Sequence, residues 1–434
     1  MKVLVLGSGG REHALAYFLK QSPLVDRLYC VPGNAGTQEC AETPDLPADD
    51  FSTLLRFAKS ERVDLTVIGP EAPLVGGISD LFTENGLAIF GPVAAGARIE
   101  GSKIYAKQLM RDRGIPSADF VKSHDMPSAL QYLNKVHPPY VIKADGLAAG
   151  KGVIIAKSEG EAKDALYDMF ERKIFGESGT RVVIERFLSG EEATVLALCD
   201  GEHVLPLISS QDHKPVYDGD KGPNTGGMGA IAPAPLVSEK VMDRVMERIL
   251  FPLVEELNNR NVRYRGILYA GLMILDGDPY VVEFNCRFGD PEAEAVLPLI
   301  DSDLCELLLL TTAGRLKEGR LLWKEGYCCD VVLASGGYPG HYEKGKPITG
   351  LDLVRPEEGD YVFHAGTKCD NGRVVTSGGR VLNVVSTGRT LKEAVDSSYR
   401  AVDLITFENM HFRRDIGRKG VAYLNRTSDF TQQG

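Results

Sequence analysis

Several familiar features are missing from this chain. Its 434 residues hold no uninterrupted apolar run of about 18, so no membrane span is expected. Met1 leads directly into the apolar run from Lys2 to Leu6, so no signal peptide is expected. Basic residues are the minority: 49 Lys and Arg stand against 60 Asp and Glu, for a net charge of -11. That balance argues against nucleic acid or an anionic membrane as partner, but it allows a local basic pocket for phosphates. The eight cysteines show no paired metal-ligand spacing, and Cys328 and Cys329 are adjacent. Reduced thiols in a cytoplasmic protein are the expectation. Two phosphate-binding signatures are also incomplete. Gly7 and Gly9 start a GxGxxG pattern, but Glu12 stands at its third glycine, which weakens a dinucleotide reading. The glycine loop from Gly146 to Gly152 does not meet GxxxxGK[ST].

Glycine, by contrast, is abundant at 47 residues, and it clusters in loops where backbone can come close to a ligand. The length implies roughly two to four domains. In the first hundred residues, apolar runs at Lys2–Leu6, Leu28–Val31, Leu65–Ile68 and Ala88–Phe90 each end in a glycine or proline loop. A helix pattern follows the first, as in a parallel βαβ sheet. Ligands of such sheets gather at the strand C-termini. Gly9, Gly10 and Asn34 are therefore placed to approach a phosphate. Glu71 is placed to read a sugar hydroxyl or steer an amine.

In the middle of the chain, Tyr140–Ala144 reads as a strand carrying Lys143. It leads into the glycine loop with Lys151, and a partner strand returns at Val153–Ala156. A glycine loop over phosphates with a lysine beneath is the expected arrangement. After a strand ending at Glu185, the stretch to Leu188 offers an apolar slot and backbone groups for an adenine, with Glu192 placed for ribose hydroxyls. Gln211–Gly229 is polar, glycine-rich and aperiodic, and reads as a long functional loop. Within it Lys214 suits a phosphate or carboxylate, whereas His213 reads as a structural hydrogen-bonder. A long amphipathic helix is expected over Ser238–Leu257. The strand 264–275 then turns at Asp276-Gly277-Asp278 into Tyr280–Phe284. Side chains alternate along a strand, so Glu283 and Asn285 share a face. A carboxylate beside an amide oxygen suits Mg²⁺, and Arg287 has the same parity. Beyond residue 326 a small mixed sheet and a closing helix at Thr390–Ile405 are expected. Arg380 is a candidate to face the site. Arg413, Arg414 and Arg418 read as a solvated face, with fraying past about Asn425.

These stretches resemble the ATP-grasp ligases, and among them the glycinamide ribonucleotide synthetases. The resemblance covers nearly the whole chain. It rests on GSGGREH at 7–13, PGNAGT at 32–37, GPEAPLVGG at 69–77 and KADGLAAGKGV at 143–153. DHK at 212–214, GPNTGGMG at 222–229 and EFNCRFGDPE at 283–292 complete it. It implies a multidomain α/β and α+β fold. Residues 1–102 would form a parallel-sheet preATP-grasp domain. Residues 103–325 would form the ATP-grasp fold, with a lid at about 120–190 and a main subdomain at about 191–325. Residues 326–434 would form a small mixed β-sheet domain with a polar tail.

By position, the resemblance implies that Lys103, Lys143, Glu185, Leu188 and Glu192 contact ATP, and that Glu283 and Asn285 hold Mg²⁺ or Mn²⁺. Gly9, Gly10, Asn34 and Glu71 would meet 5-phosphoribosylamine. Asp212, Lys214, Arg287 and Asp290 would hold glycine or the forming intermediate, with Lys143, Arg287 and Asp290 in catalytic roles. Many ATP-grasp enzymes take a further acidic metal ligand from the preceding strand; here those positions are Gly271 and Met273. The implied reaction joins glycine to 5-phosphoribosylamine with ATP, through a glycyl phosphate, in purine biosynthesis. A monomer is expected, with transient contact with the enzyme that supplies phosphoribosylamine. The alternatives are another ATP-grasp ligase of purine metabolism and a nucleotide-sensing module without chemistry. GPNTGGMG and RFGDPE stand against the first, and Lys143 and Glu283 against the second.

Overall fold

A computed structural model describes residues 1–147 and 152–431, without the side chains of residues 177, 357 and 427–431. Lys151 and the center of the glycine loop fall outside the described residues. The N-terminal sheet is parallel, in the order Arg27–Pro32, Lys2–Gly7, Leu65–Ile68, Ile89–Phe90. Its strands are buried on both faces, as their continuous Val, Leu and Ile runs require. The helix Gly10–Lys20 follows the first strand, and its Glu12 carboxylate accepts from the Gly9 N–H at 2.6 Å.

Four strands form a separate antiparallel sheet, ordered Phe120–Ser123, Val182–Arg186, Tyr140–Ala144, Val153–Ala156. The helix Lys103–Arg113 lies beneath it. Ser102 caps that helix by accepting from Tyr105 N–H, and Gly114 ends it in the left-handed region at φ 65°. Asp145 ties the sheet to this helix start, accepting from Ser102 Oγ at 2.9 Å and Ile104 N–H at 3.0 Å.

A second antiparallel sheet, ordered Val204–Pro206, Glu191–Cys199, Gly266–Leu275, Asp278–Asn285, makes the cavity floor. The expected helix over Ser238–Leu257 is present as Glu239–Val245 and Phe251–Asn259, joined by a π-turn at Met246–Leu250. Pro252 has no N–H to continue an α ladder, which accounts for the wider turn.

The Gln211–Gly229 stretch is not an aperiodic loop. Pro215–Tyr217 and Lys221–Asn224 form a hairpin, and Gln211–Asp212 and Gly229–Ala232 are strands. The last of these pairs with Tyr327–Ser335, so one sheet spans the middle and the end of the chain. It continues through Arg380–Gly388 to Asp360–His364. The helix Leu391–Val402 covers one face but does not close the chain. The helix Arg418–Thr431 follows, extending past Asn425 where fraying was expected. Arg414 and Arg418 are exposed as expected, but Arg413 is only 1% exposed. It reaches Asp220 at 2.9 Å and Asp415 at 2.8 Å. A guanidinium with two carboxylate partners can be buried where an unpaired one could not. No described helix is long and apolar enough to cross a membrane.

Candidate functional site

The antiparallel sheet containing Tyr140–Ala144, the helix Lys103–Arg113 and the floor sheet enclose a cavity of about 500 Å³. On the floor, Gly271 pairs with Glu283 and Tyr269 with Asn285. A Cβ at position 271 would lie 3.1 Å from Glu283 Cγ, so a larger residue there would crowd the Glu283 side chain. The absence of an acid at this position thus leaves space for Glu283. Burial disfavors the Glu283 charge, but Lys214, Lys143, Lys103 and Arg287 outweigh it and hold the carboxyl below its usual range.

Four cations therefore converge on one carboxylate. Lys143 lies 3.0 Å from Glu185 and donates to the Val282 carbonyl at 2.8 Å. Lys103 donates to the Gly146 carbonyl at 3.0 Å. Lys214 lies 2.8 Å from Glu192 and 3.5 Å from Asp212. Burial raises the Asp212 carboxyl, with Lys214 opposing. Arg287 lies beyond the strand end at Asn285, so the parity argument does not apply to it, yet it still lines the cavity. It stands 3.3 Å from Glu71 and 3.2 Å from Glu100. Leu188 and Phe187 also line the cavity.

Among the described residues, no group of three or more Asp, Glu, His or Cys could cage a metal. Glu283 and Asn285 offer two oxygens. That set fits a hard cation that takes its remaining ligands from phosphates and water.

A second cavity of about 420 Å³ adjoins the first. Ser8, Gly9, Gly33 and Asn34 form one wall, and Gly366, Thr367, Ser377 and Gly378 form the other. Asp290 and Arg380, 2.9 Å apart, line both cavities. Two expectations shift here. Gly10 is not among the lining residues: the position of its absent Cβ lies 2.0 Å from Asn383 Nδ2, so this glycine lets the helix start dock on the C-terminal sheet. Glu71 lies with Arg287 in the large cavity, not with Gly9 and Asn34. His213 is buried away from both cavities, near Gly417 N–H, as its structural reading expects.

Sequence reasoning missed Arg11, Glu100, Lys107 and Glu292, all of which line the large cavity. Glu292 accepts from the Tyr269 hydroxyl at 2.6 Å. Lys107 is one helical turn from Lys103, a spacing that places both on one face. Arg11 follows directly on the glycine turn. Glu100 gave no signal of its own.

The phosphoribosylglycinamide synthetase N domain matches residues 1–100, its ATP-grasp (A) domain 101–293 and its C domain 328–419. The phosphoribosylamine–glycine ligase of Escherichia coli K12 is 49% identical over 425 residues, covering 97% of this chain and 99% of that protein. The same enzyme from Caldanaerobacter subterraneus is 46% identical over 416 residues, covering 96% and 99%. The crystal structure of phosphoribosylamine–glycine ligase from Thermotoga maritima superposes with a TM-score of 0.82 at 35% identity, covering 96% of this chain and 100% of that one. A Hydrogenobacter thermophilus biotin carboxylase domain in complex with MgADP shares the fold, with a TM-score of 0.73 at 16% identity over 95% of this chain and 91% of that one. With half its residues shared along nearly its full length, the chain belongs to the phosphoribosylglycinamide synthetase family.

Proposed function

We propose that this chain joins glycine to 5-phosphoribosylamine with ATP, giving N1-(5-phosphoribosyl)glycinamide, ADP and phosphate, as a cytoplasmic enzyme of purine biosynthesis. The observation that carries this reading is the junction at Asp290 and Arg380. There a cation-rich cavity with a two-oxygen metal seat opens beside a pocket walled by glycine loops. The eight free cysteines suit a reducing compartment.

In this reading the adenine lies along Glu185–Leu188, and the phosphates extend toward Lys103 and Lys143. Glu283 and Asn285 hold Mg²⁺ or Mn²⁺, which when bound neutralizes charge on the phosphates. Lys214 and Arg287 orient the glycine carboxylate. A carboxylate oxygen attacks the γ-phosphorus, the bond to the β-phosphate oxygen breaks, and ADP leaves. The phosphoribosylamine nitrogen then attacks the glycyl carbonyl carbon, phosphate departs, and the amine proton passes toward Asp290. Gly9, Gly33 and Asn34 face the phosphoribosyl group from one side, and Gly366 and Thr367 from the other. The chain supplies alignment and fixed charge, with no nucleophilic side chain. Exclusion of water by the lid protects the acyl phosphate.

ADP release measured with glycine and phosphoribosylamine, separately and together, tests the assignment. Full ADP release is expected only with both. ADP release independent of glycine would overturn it.

A further inference from the structure

Glu185 is shared by two lysines from different elements. Lys143, on Tyr140–Ala144, lies 3.0 Å from its Oε1, and Lys107, on Lys103–Arg113, lies 3.1 Å from its Oε2. Lys107 is 2% exposed, and Lys143 and Glu185 are each 3% exposed. Both contacts are ion pairs between buried groups. Lys107 also stands 5.8 Å from the Phe120 ring centroid, at the base of the lid sheet. Burial lowers its pKa to about 8, with Glu185 the main opposing influence.

One carboxylate needs one cation, and this one has two. The surplus has a use if Lys143 must turn away. Its ammonium has three donors, and it is engaged with both Glu185 and Val282. A phosphate in the cavity would draw it from Glu185, and a buried carboxylate left alone is strongly disfavored. Lys107 holds the other carboxylate oxygen, from the helix Lys103–Arg113. It can remain as the counter-charge.

We propose that Lys107 is a positioning residue that keeps Glu185 neutralized while Lys143 transfers its charge to the phosphates of the bound nucleotide. This rests on the reading above that Lys143 faces those phosphates.

The test is calorimetric binding of a non-hydrolysable ATP analog with Mg²⁺, alongside steady-state kinetics. Lys107→Met should weaken analog binding by about tenfold or more and raise the KM for ATP, with the KM for glycine unchanged. Lys107→Arg should restore most of the loss. Glu185→Gln removes the charge that would retain Lys143, so Lys107→Met/Glu185→Gln should bind within about threefold of Glu185→Gln alone. A purely structural role would lower thermal stability and affect both substrates alike. Wild-type binding by Lys107→Met overturns the proposal, as does a double variant in which the two losses add. If Lys107→Met does not fold, the double variant leaves no buried carboxylate unmatched and the same comparison with Glu185→Gln decides. Lys143→Met separates the two readings. If it binds the analog like wild type, the nucleotide-site reading fails. If it binds weakly while Lys107→Met binds normally, only the proposal made here fails.

Discussion

The two cavities that meet at Asp290 and Arg380 are built by opposite means. The smaller is walled largely by backbone, with Gly9, Gly33, Gly366 and Gly378 brought from both ends of the chain. The larger is walled by charge, with Lys103, Lys143, Lys214 and Arg287 set against Glu283 and its acidic neighbors. Backbone amides present fixed donors with no rotamer freedom to lose. Charged side chains supply the stronger field but must be held in place by counter-charges. A backbone wall should therefore be damaged by adding an atom, and a charged wall by removing one.

The largest effect should come from the charged wall. Glu283→Ala should lower turnover about 10³-fold with the fold retained, measured as phosphate release across a metal titration. Near-normal turnover would remove this carboxylate from the metal seat. Arg287→Met should lower kcat/KM for glycine about 100-fold while leaving nucleotide affinity within about threefold. A loss confined to nucleotide affinity would erase the division of labor along this wall. On the backbone side the effect should be smaller. A Cβ at position 9 would lie 2.8 Å from Glu12 Oε2 and 3.2 Å from Asp290 Oδ2. Gly9→Ala should raise the KM for phosphoribosylamine about tenfold and leave nucleotide binding untouched. Equal damage to both would merge the two cavities into one functional unit.

The smallest effect concerns the seam behind the glycine pocket. His13 Nδ1 accepts from the His364 N–H at 2.8 Å, and burial lowers these rings to about 3 and about 4 respectively. Above about pH 6.5 both rings are neutral in either state and contribute no slope. As pH falls below that value the unfolded chain takes up protons and the folded chain does not, so stability falls. Each ring accounts for about 1.4 kcal/mol per pH unit in that window. Urea unfolding at pH 7.0 and pH 5.5 should show the decline, and His13→Gln should remove one ring's share.

How much of this was legible depended on how local the signal was. The N-terminal sheet could be read because each apolar run ends in its own glycine loop. Glu283 and Asn285 could be read because the Asp276-Gly277 turn fixes the hairpin and alternation fixes the face. The strands within 211–232 could not. Lys221–Asn224 is exposed and carries Gly222 and Pro223, and Gly229–Ala232 acquires its partner only at Tyr327–Ser335. Arg413 looked solvated because Asp220, which permits its burial, is remote in sequence. Gly10 looked like a ligand contact because its crowding comes from Asn383.

The seating of Gly229–Ala232 against Tyr327–Ser335 bears on how the molecule is made. The first strand leaves the ribosome well before the second, so a nascent chain must carry an unmatched edge until Tyr327–Ser335 has been made. Such an edge invites association between chains. Splitting the gene near codon 326 would make that temporary hazard permanent, on both fragments at once.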